Sequence, residues 1–448
     1  MVRVIVADRK YDCSHLLGQF VDESHYDHLI EEDTDVYAPA DCDLATQADC
    51  ERDCASCSHG MDERRIVLKF RKNYFSKEQQ EQAYLGLREA ATETQNRGTA
   101  AGPRGDKLGN REWVTEYEYE MVDHFLKPVE NLFGEDPVEN IRARYAGKPP
   151  VISNRSNVWS IERTKKENFN FEEWVEKTRK LPRDEQVKTA KYVADKLICG
   201  TTYANSVYSG IAGWFDRYPR IPYGRATSYT SRQFDKFKMA FPFLQTLSNG
   251  FSELLPWRYN NQMAAAQKID PAFLVPGTPF TTITVNKTFR TAAHYDAGDF
   301  TEGLSNLLVL SNGGNYKGGY LVAPEYRVAV NPRPGDLLLI NNHEVMHGNT
   351  PIELLDEEAE RISLVVYFRE KMLELGSKEY EDTRYDFVEQ RRLNKEHPEQ
   401  RELWNGVSAG MWESKEWYEY LQSRMGEETL LKYHPEAQKA SSLDEFFA

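Results

Sequence analysis

The sequence predicts an α+β protein in which a β-sandwich or β-barrel core is flanked by helices. From about residue 278, short β-rich runs follow one another between Gly, Pro and Asn residues; they include "SNLLVLSN", "GDLLLINN" and "RISLVVYFRE". Several strands at such close spacing are typical of a sandwich or barrel. Helical patterns precede and follow this region, as in "SRQFDKFKMAFPFLQTLSNGFSELLPW" and "EWYEYLQSRMGEETLLKYH". The chain of 448 residues is 40% apolar, which is enough for a buried core.

Composition divides the chain into three parts. Residues 1–62 form an acidic, cysteine-containing N-terminal segment that begins with the strand-like run "VRVIVA" and not with a signal peptide. Residues 63–375 form the main domain, with a basic helical insert at 155–200. Residues 376–448 return to acidic, Trp-containing helical sequence. Since no run approaches the ~20 apolar residues of a membrane helix, we expect no membrane partner and an intracellular, cytoplasmic protein.

The main domain opens with a strand and a capped helix. The run "RIVLKFRKNYF" at 65–75 has the β-branched and aromatic content of a strand. Ser76 is the expected N-cap of a helix over "KEQQEQAYLGLREAATET", because its hydroxyl can accept a hydrogen bond from a free backbone amide. The next run, "QNRGTAAGPRGDKLGNRE", has too many turn-forming residues for either element and is expected to be a mobile or functional loop.

Charge is unevenly distributed along the chain. The net charge is −15, yet residues 141–290 contain 24 Lys and Arg against 12 Asp and Glu. Such a basic region inside an acidic protein is suited to binding a polyanion. The alternative is that these charges only solvate helix surfaces, as in "EEWVEKTRKLPRDEQVKTAKYVADK".

Four of the six cysteines lie close together in the N-terminal segment, at Cys42, Cys50, Cys54 and Cys57. Four thiolates within 16 residues suit a structural zinc knot, because Zn²⁺ favours tetrahedral sulfur sites. His59 could replace one of these ligands. The alternatives are reduced free thiols, or an iron–sulfur site on the C-x3-C-x2-C spacing of the last three.

Residues 343–347 read "HEVMH", the string of a zinc-peptidase helix. In such a helix both histidines lie on one face and the helix continues beyond them. Here the run "GNTP" follows at once, and Pro costs ~3 kcal/mol in a helix interior. The strand-like run "PGDLLLINN" ends directly before, so only about one helical turn would fit. We therefore expect no zinc-peptidase helix and no metal role for His343 or Glu344.

A second set of residues predicts a different metal site. His294 and Asp296 are two apart in a strand-like run, so both side chains point to one face. His347 follows 53 residues after His294, at the end of another predicted strand. Two His and one carboxylate form the facial triad of non-haem Fe(II) oxygenases. Arg361, with Ser363 facing the same way, can hold a dicarboxylate through a two-pronged hydrogen bond. The alternative is an ordinary β-domain with surface His and Asp.

These residues lie in runs by which the chain resembles the TET and J-binding-protein (TET/JBP) family of Fe(II)/2-oxoglutarate-dependent DNA dioxygenases. The runs are "FTTITVNKTFRTAAHYDAGDF", "GGYLVAPEY", "RPGDLLLINNHEVMHGNT" and "RISLVVYFRE", and the resemblance is closest over residues 278–372. It implies that the chain is an enzyme, a dioxygenase and oxidoreductase. It also implies a double-stranded β-helix (jelly-roll, cupin-like) core flanked by helices, within residues 63–375. An acidic chain with unfamiliar ends would suit a phage-encoded member in the host cell cytoplasm.

The resemblance assigns roles to individual residues. Three would bind Fe(II): His294, Asp296 and His347. Two would hold 2-oxoglutarate: Arg361 and Ser363. Asp299 would be catalytic and contact the target base, with further substrate contacts from Arg225, Asn286 and Arg369. Alternatively, Arg225 would contact the cofactor and not the substrate. Cytosine-specific members often have a His where this sequence has Arg369, so the base stays open between 5-methylcytosine and thymine.

The implied reaction is hydroxylation of the 5-methyl group of a pyrimidine in DNA, with 5-methylcytosine ranked before thymine. Fe(II), 2-oxoglutarate and O2 supply the oxidising chemistry. The base must be flipped out of a duplex to reach a buried site, and phosphate contacts would hold the strand. Candidate phosphate ligands are basic residues of the region 141–290: Arg217, Arg220, Arg225, Arg232, Lys236 and Lys238. The alternatives are a 2-oxoglutarate-dependent hydroxylase of protein side chains or small molecules, and a non-catalytic reader of modified DNA.

Overall fold

Two β-sheets, a two-stranded ribbon and the helices around them make up most of the described part of the chain. The computed structural model describes residues 2–39, 63–103, 180, 205–217, 221–393 and 414–439. The predicted α+β class is confirmed, with a jelly-roll core between flanking helices. No helix among these residues is both long and apolar enough to cross a lipid bilayer.

The described strands are short and are numbered along the chain. They are β1 (Arg3–Val6), β2 (His28–Ile30), β3 (Thr34–Tyr37), β4 (Ile66–Arg71), β5 (Thr92–Thr94), β6 (Val207–Phe215), β7 (Arg225–Ala226), β8 (Thr282–Lys287), β9 (Ser305–Ser311), β10 (Tyr316–Gly318), β11 (Leu321–Ala323), β12 (Val328–Val330), β13 (Leu337–Ile340), β14 (Gly348–Asn349), β15 (Ile352–Leu354) and β16 (Arg361–Tyr367). Gly, Pro and Asn separate many of them, as the sequence predicts.

The larger sheet has ten strands, in the order β1-β3-β4-β13-β9-β16-β8-β6-β5, with β7 paired to β6. Its central strands β9 and β16 are buried along almost their whole length. Such strands are covered on both faces, which explains their nearly continuous apolar sequences. A smaller sheet has the order β14-β11-β12-β2, and β10 pairs with β15 in a separate ribbon.

The larger sheet has a different neighbour on each face. On one face, Leu68 and Leu338 pack against Leu321 and Val328 of the smaller sheet. On the other face, Leu308, Leu310 and Leu364 join a cluster with the apolar residues of the helix Phe241–Leu254. Because side chains alternate along a strand, Arg361 and Ser363 of β16 point away from these helices, towards the space between the sheets.

Eight described α-helices surround the sheets. They are Lys77–Leu87, Ser228–Arg232, Phe234–Met239, Phe241–Leu254, Pro256–Ala266, Lys378–Leu393, Ser414–Met425 and Glu427–Tyr433. The predicted cap is confirmed, since the Ser76 hydroxyl accepts from the amide of Gln79 at 3.2 Å. The helix ends at Leu87, earlier than the sequence predicts, because Thr92–Thr94 pairs with β6 instead.

The N-terminal segment supplies strands to both sheets. β3 pairs with β1 in parallel and with β4 antiparallel, and β2 pairs in parallel with β12. The division predicted at residue 62 stays a prediction. The cysteine group Cys42, Cys50, Cys54 and Cys57 lies outside the described residues, as does the insert at 155–200 apart from residue 180. Zinc binding by these cysteines therefore stays a prediction too.

Candidate active site

The "HEVMH" run forms a turn and not a helix. Residues 342–345 are in the turn, whose start is fixed by the Asn341 carbonyl accepting from the amides of Glu344 and Val345. The exclusion of a zinc-peptidase helix is confirmed. His343 Nδ1 lies 3.3 Å from the backbone oxygen of Asp296, so its ring contacts the main chain.

The structure brings His294, Asp296 and His347 together. Their potential metal-binding atoms all lie within 4.8 Å of one another. His294 Nε2 is 3.3 Å from Asp296 Oδ1, and His347 Nε2 is 3.9 Å from Asp296 Oδ2. The two histidines face each other across an isolated antiparallel bridge, with amide-to-carbonyl distances of 2.9 and 3.0 Å. Two separate segments thus converge on one point.

Backbone carbonyls orient both imidazole rings. Nδ1 of His294 donates to the carbonyl two residues before it at 2.8 Å, and Nδ1 of His347 does the same at 3.0 Å. A proton on Nδ1 leaves the lone pair of Nε2 for a metal. Asn342 Nδ2 donates to Asp296 Oδ2 at 3.0 Å and fixes the carboxylate. Two imidazole nitrogens and one carboxylate are a donor set that fits Fe(II).

Burial and neighbouring charges set the protonation states of this group. Burial disfavours the Asp296 carboxylate, but the hydrogen bond from His294 and the charges of both histidines outweigh it. Together they lower the pKa of Asp296 to about 2. Burial, reinforced by His294, lowers the pKa of His347 to about 4. At neutral pH Asp296 therefore offers an ionised carboxylate and His347 a neutral imidazole, the forms that bind metals. Burial favours the neutral form of His294 too, but its hydrogen bond and charge contact with Asp296 outweigh burial and raise the pKa of His294.

Arg361 is buried at the start of β16, and most of its guanidinium lacks a partner. The residue is 1% exposed, and Nη2 donates to the carbonyl of Gly319 at 3.2 Å. Nε and Nη1 have no hydrogen-bond partner among the described residues. Gly319 has a φ of +69°, and a Cβ there would lie 3.1 Å from Arg361 Nε, so this approach requires glycine. A buried cation without a counter-charge is costly, so the pocket fits the carboxylate of a bound ligand.

A cavity of about 1050 Å³ connects all of these groups. It is bordered by every residue predicted to bind iron, cofactor or base: Arg225, Asn286, His294, Asp296, Asp299, His347, Arg361, Ser363 and Arg369. Asn286 is 7% exposed and its side-chain oxygen accepts from the hydroxyl of Ser209 on the neighbouring strand. Arg97, in the predicted Gly- and Arg-rich loop, borders the same space and was not singled out from the sequence.

Asp299 is a buried acid beside the metal-binding group. It is 6% exposed, and its Oδ2 accepts a hydrogen bond from the Ser305 hydroxyl. Burial and the negative charge of Asp296 raise the pKa of Asp299 to about 8. A carboxyl group that is largely protonated at neutral pH can both donate and accept, which suits contact with the edge of a base.

The sequence did not reveal Asp216, a buried residue that accepts hydrogen bonds from two arginines of the cavity. Arg369 Nε donates to Asp216 Oδ1, and Arg225 Nη1 donates to the Asp216 backbone oxygen at 3.1 Å. Both guanidinium groups lie over the ring of Phe215, at 4.1 Å and 5.2 Å from its centroid. The run "WFDRYPR" contained a signal, a lone acid within a basic region, but its partner Arg369 is 153 residues away.

Half of the six predicted phosphate ligands form ion pairs within the chain. Three are engaged in ion pairs: Arg217 with Glu381, Lys236 with Glu89 and Lys238 with Asp235. Arg232 is exposed, and Arg220 lies outside the described residues. Among the described members of this group, only Arg225 borders the cavity.

Comparisons with known proteins agree with this geometry. Residues 215–370 match the Tet_JBP family, described as the oxygenase domain of the 2OGFeDO superfamily. The chain is 38% identical over 166 residues to thymine dioxygenase JBP1 of Trypanosoma brucei brucei, covering 36% of this chain and 19% of that protein. It is 34% identical over 177 residues to thymine dioxygenase JBP1 of Leishmania braziliensis, covering 38% and 21%. The chain thus spans about a fifth of the length of the curated relatives it matches.

One solved structure covers more of the chain at lower similarity. NgTET1 in complex with 5mC DNA matches 86% of this chain and 90% of its own, with 12% identity and a TM-score of 0.38. That score is too low for the likeness to carry a conclusion. The family match and the trypanosomatid relatives confirm the resemblance on which the roles of these residues rest.

Proposed function

We propose that this chain, whose residues 215–370 form an oxygenase domain of the TET/JBP family, is an Fe(II)- and 2-oxoglutarate-dependent dioxygenase that hydroxylates the 5-methyl group of a pyrimidine in DNA. One observation carries the proposal. The converging group His294, Asp296 and His347 shares a cavity with Arg361, whose buried guanidinium lacks a counter-charge. A metal triad beside a buried cation that can bind a carboxylate is what a metal- and 2-oxoglutarate-dependent reaction needs.

When bound, Fe(II) together with 2-oxoglutarate and O2 supplies the oxidising power for hydroxylating a methyl group. The chain's own residues hold and orient these reactants. The Nε2 atoms of both histidines and the Asp296 carboxylate would hold the ion from one side, leaving the cavity side open. Arg361 and Ser363 would fix the distal carboxylate of 2-oxoglutarate. The burial of His347 and Arg361 excludes water from this end of the cavity.

The other end of the cavity is suited to a flipped-out base. A methyl group on a paired base lies in the major groove, so it cannot reach a buried metal unless the nucleotide leaves the stack. Arg225 and Arg369 over Phe215 provide flat, cationic surfaces, and Asp299 provides an edge contact. Stacking on such surfaces and a hydrogen bond to the base edge are the usual means of holding an extruded base.

Thymine is the base we propose, with 5-methylcytosine as the alternative. The sequence alone ranked 5-methylcytosine first. Two observations support thymine: the trypanosomatid relatives bear the name thymine dioxygenase, and Arg369 occupies the position where cytosine-specific members often have a His. A guanidinium only donates hydrogen bonds, so it suits the O4 acceptor of thymine better than the amino group of cytosine.

The test is an assay of the full chain with Fe(II), 2-oxoglutarate and O2 on duplexes with and without 5-methylcytosine. Digested nucleosides are identified by mass and succinate is measured in parallel. We expect 5-hydroxymethyluracil from both duplexes. His294→Ala should abolish turnover, while His343→Ala, which alters the other histidine of "HEVMH", should retain most of it. No oxidised base from either duplex would overturn the proposal.

The same assay separates the alternatives. 5-Hydroxymethylcytosine without 5-hydroxymethyluracil would assign the enzyme to 5-methylcytosine. Succinate formed only with peptides or small molecules would identify a hydroxylase of those substrates. Specific binding to modified DNA with no succinate from any substrate would identify a reader.

A further inference from the structure

One buried carboxylate, that of Glu325, connects both segments that carry the proposed metal ligands. Glu325 lies in a single 3-10 turn between β11 and β12, outside the cavity, and is 4% exposed. Its Oε2 accepts from the backbone amide of Met346 at 2.7 Å. Its Oε1 accepts from the hydroxyl of Tyr295 at 2.9 Å. Met346 directly precedes one histidine ligand, and Tyr295 stands between the other histidine and the aspartate.

The ligand segments are also joined directly by main-chain hydrogen bonds. Besides the bridge between the two histidines, Asp296 donates to the carbonyl of Asn342 at 3.0 Å and Asn349 donates to the carbonyl of Thr291 at 2.8 Å. Glu325 adds a side-chain connection between the same two segments, at the residues directly next to the ligands. Hydrogen bonds to an ionised carboxylate are shorter and stronger than those between neutral groups, so a carboxylate is well suited to hold two segments together.

The N-terminal segment completes this arrangement. Lys10 Nζ lies 3.4 Å from Glu325 Oε1 and supplies a counter-charge. Gly18 donates to the carbonyl of Ala293, and Ala293 donates to the carbonyl of Gln19, both at 2.8 Å. Ala293 directly precedes His294. An apolar cluster also packs Cys13, Leu16 and Val21 of the N-terminal segment against Ala293 and Met346, the residues that precede the two histidine ligands.

We infer that Glu325 is a positioning residue, which together with the main-chain bonds fixes the distance between the two metal-binding segments and thereby contributes to the metal affinity of the site. The inference rests on the proposed function only for the identity of the ligands. Residues that orient metal ligands without touching the metal typically change metal affinity ~10–100-fold when they are mutated. Glu325→Gln keeps one acceptor oxygen and replaces the other with an NH2 donor. That donor would face either the Met346 amide or the Tyr295 hydroxyl, and the hydrogen bond to that group would be lost.

Glu381 offers a matched control. It is a fully buried carboxylate that accepts from two backbone amides, those of Gly224 at 2.6 Å and Gly376 at 2.8 Å, and it pairs with Arg217. Like Glu325, it accepts from the main chain and pairs with a basic side chain. It has no contact with a ligand segment among its described bonds.

The experiment measures Co(II) affinity and the Co(II) absorption spectrum of the full chain without oxygen or DNA. We expect Glu325→Gln to weaken Co(II) binding ~10–100-fold and to alter the spectrum. Tyr295→Phe removes only the hydrogen bond from the Tyr295 hydroxyl to Glu325, so it should weaken Co(II) binding to a smaller extent. Because Tyr295 is partly exposed, we expect this variant to fold even if Glu325→Gln does not. Glu381→Gln should lower stability but leave affinity and spectrum as in the wild type.

Two results would overturn the inference. One is unchanged Co(II) affinity in both Glu325→Gln and Tyr295→Phe; the other is an equal loss in Glu381→Gln, which would indicate general destabilisation. Failure of the proposed function looks different. In that case the wild type oxidises no DNA, while Co(II) binding by the triad and its dependence on Glu325 are still observed.

Discussion

Arg361 and Arg369 border the same cavity at the two ends of β16, but their guanidinium groups are in opposite situations. Arg361 has two buried nitrogens without a partner, whereas Arg369 is paired with Asp216 and lies over Phe215. A buried cation that the protein leaves unpaired indicates a ligand of opposite charge. A partly buried cation that the protein pairs, such as Arg369, is held in place before any ligand arrives. We therefore propose that Arg361 supplies affinity for an anion and that Arg369 orients a substrate.

The largest expected effect comes from removing the unpaired cation. Arg361→Met should raise the KM for 2-oxoglutarate roughly 100-fold, since losing a buried charge-assisted pair costs about 3 kcal/mol. The protein without cofactor should be as stable as the wild type or more stable, because an unpaired buried charge is gone. Succinate formation against 2-oxoglutarate concentration, with urea unfolding alongside, measures both. An unchanged KM would remove the distinction between the two arginines.

Removing the counter-charge of Arg369 should have the opposite effects, a loss of stability and an unchanged KM for 2-oxoglutarate. Asp216→Asn leaves Arg369 without its counter-charge and should lower the free energy of unfolding by about 2 kcal/mol. The KM for 2-oxoglutarate should stay close to the wild-type value. Asp235→Asn is the control, because its pair with Lys238 is exposed and such pairs contribute less than about 1 kcal/mol. Urea denaturation of both variants gives the comparison; equal losses would contradict it.

A third change tests what the paired arginine recognises. Arg369→Gln introduces an acceptor, so the preference for thymine over 5-methylcytosine should fall roughly 10-fold in kcat/KM. Arg369→Lys keeps only donors and should preserve the preference at lower activity. Competition between the two bases in one duplex measures the ratio directly. A preference that survives in the Gln variant would assign base selection to another residue.

The smallest expected effect concerns Glu360, the neighbour of Arg361, whose charge is fully compensated. Burial favours its neutral form, but hydrogen bonds from Arg88, Lys287 and Tyr84 outweigh this and lower the pKa of Glu360 to about 2. Its stabilisation is therefore complete above the unfolded pKa of 4.5 and is lost as the pH falls from 4.5 through 2. Since Arg88 and Lys287 are partly exposed, we expect about 1 kcal/mol.

The measurement is the free energy of unfolding of wild type and Glu360→Gln between pH 7 and pH 2. The difference between them should be largest at pH 7 and should shrink below pH 4.5. A difference that is constant over this range would show that the charge of Glu360 contributes nothing.

The sequence predicted what depends on local pattern. The strands from residue 278 onwards, the Ser76 cap and the turn at "HEVMH" follow from alternation, capping and helix-breaking residues. The convergence of His294, Asp296 and His347 also followed, because a metal site requires specific residue types at strand ends. These features are short in range or chemically distinctive.

The sequence did not predict pairings between distant, chemically ordinary residues. The Asp216–Arg369 bond joins residues 153 apart, and the pairing of β2 with β12 joins residues 300 apart. An acid in a basic run and a short strand in an acidic segment are common, and their partners are fixed only by packing. For the same reason, "KEQQEQAYLGLREAATET" was expected to be helical throughout, although its last residues join the edge of the sheet.

The bridge between His294 and His347 has a consequence for how the protein handles its metal. Reciprocal main-chain bonds, with carbonyls orienting both rings, hold the ligand atoms close together without help from an ion. The site is therefore preassembled, unlike zinc fingers, in which binding and folding are one event. A chelator should strip the metal while the circular dichroism spectrum stays native, and added Fe(II) should restore the site within the time of mixing. We therefore propose that the protein exchanges its metal ion without unfolding.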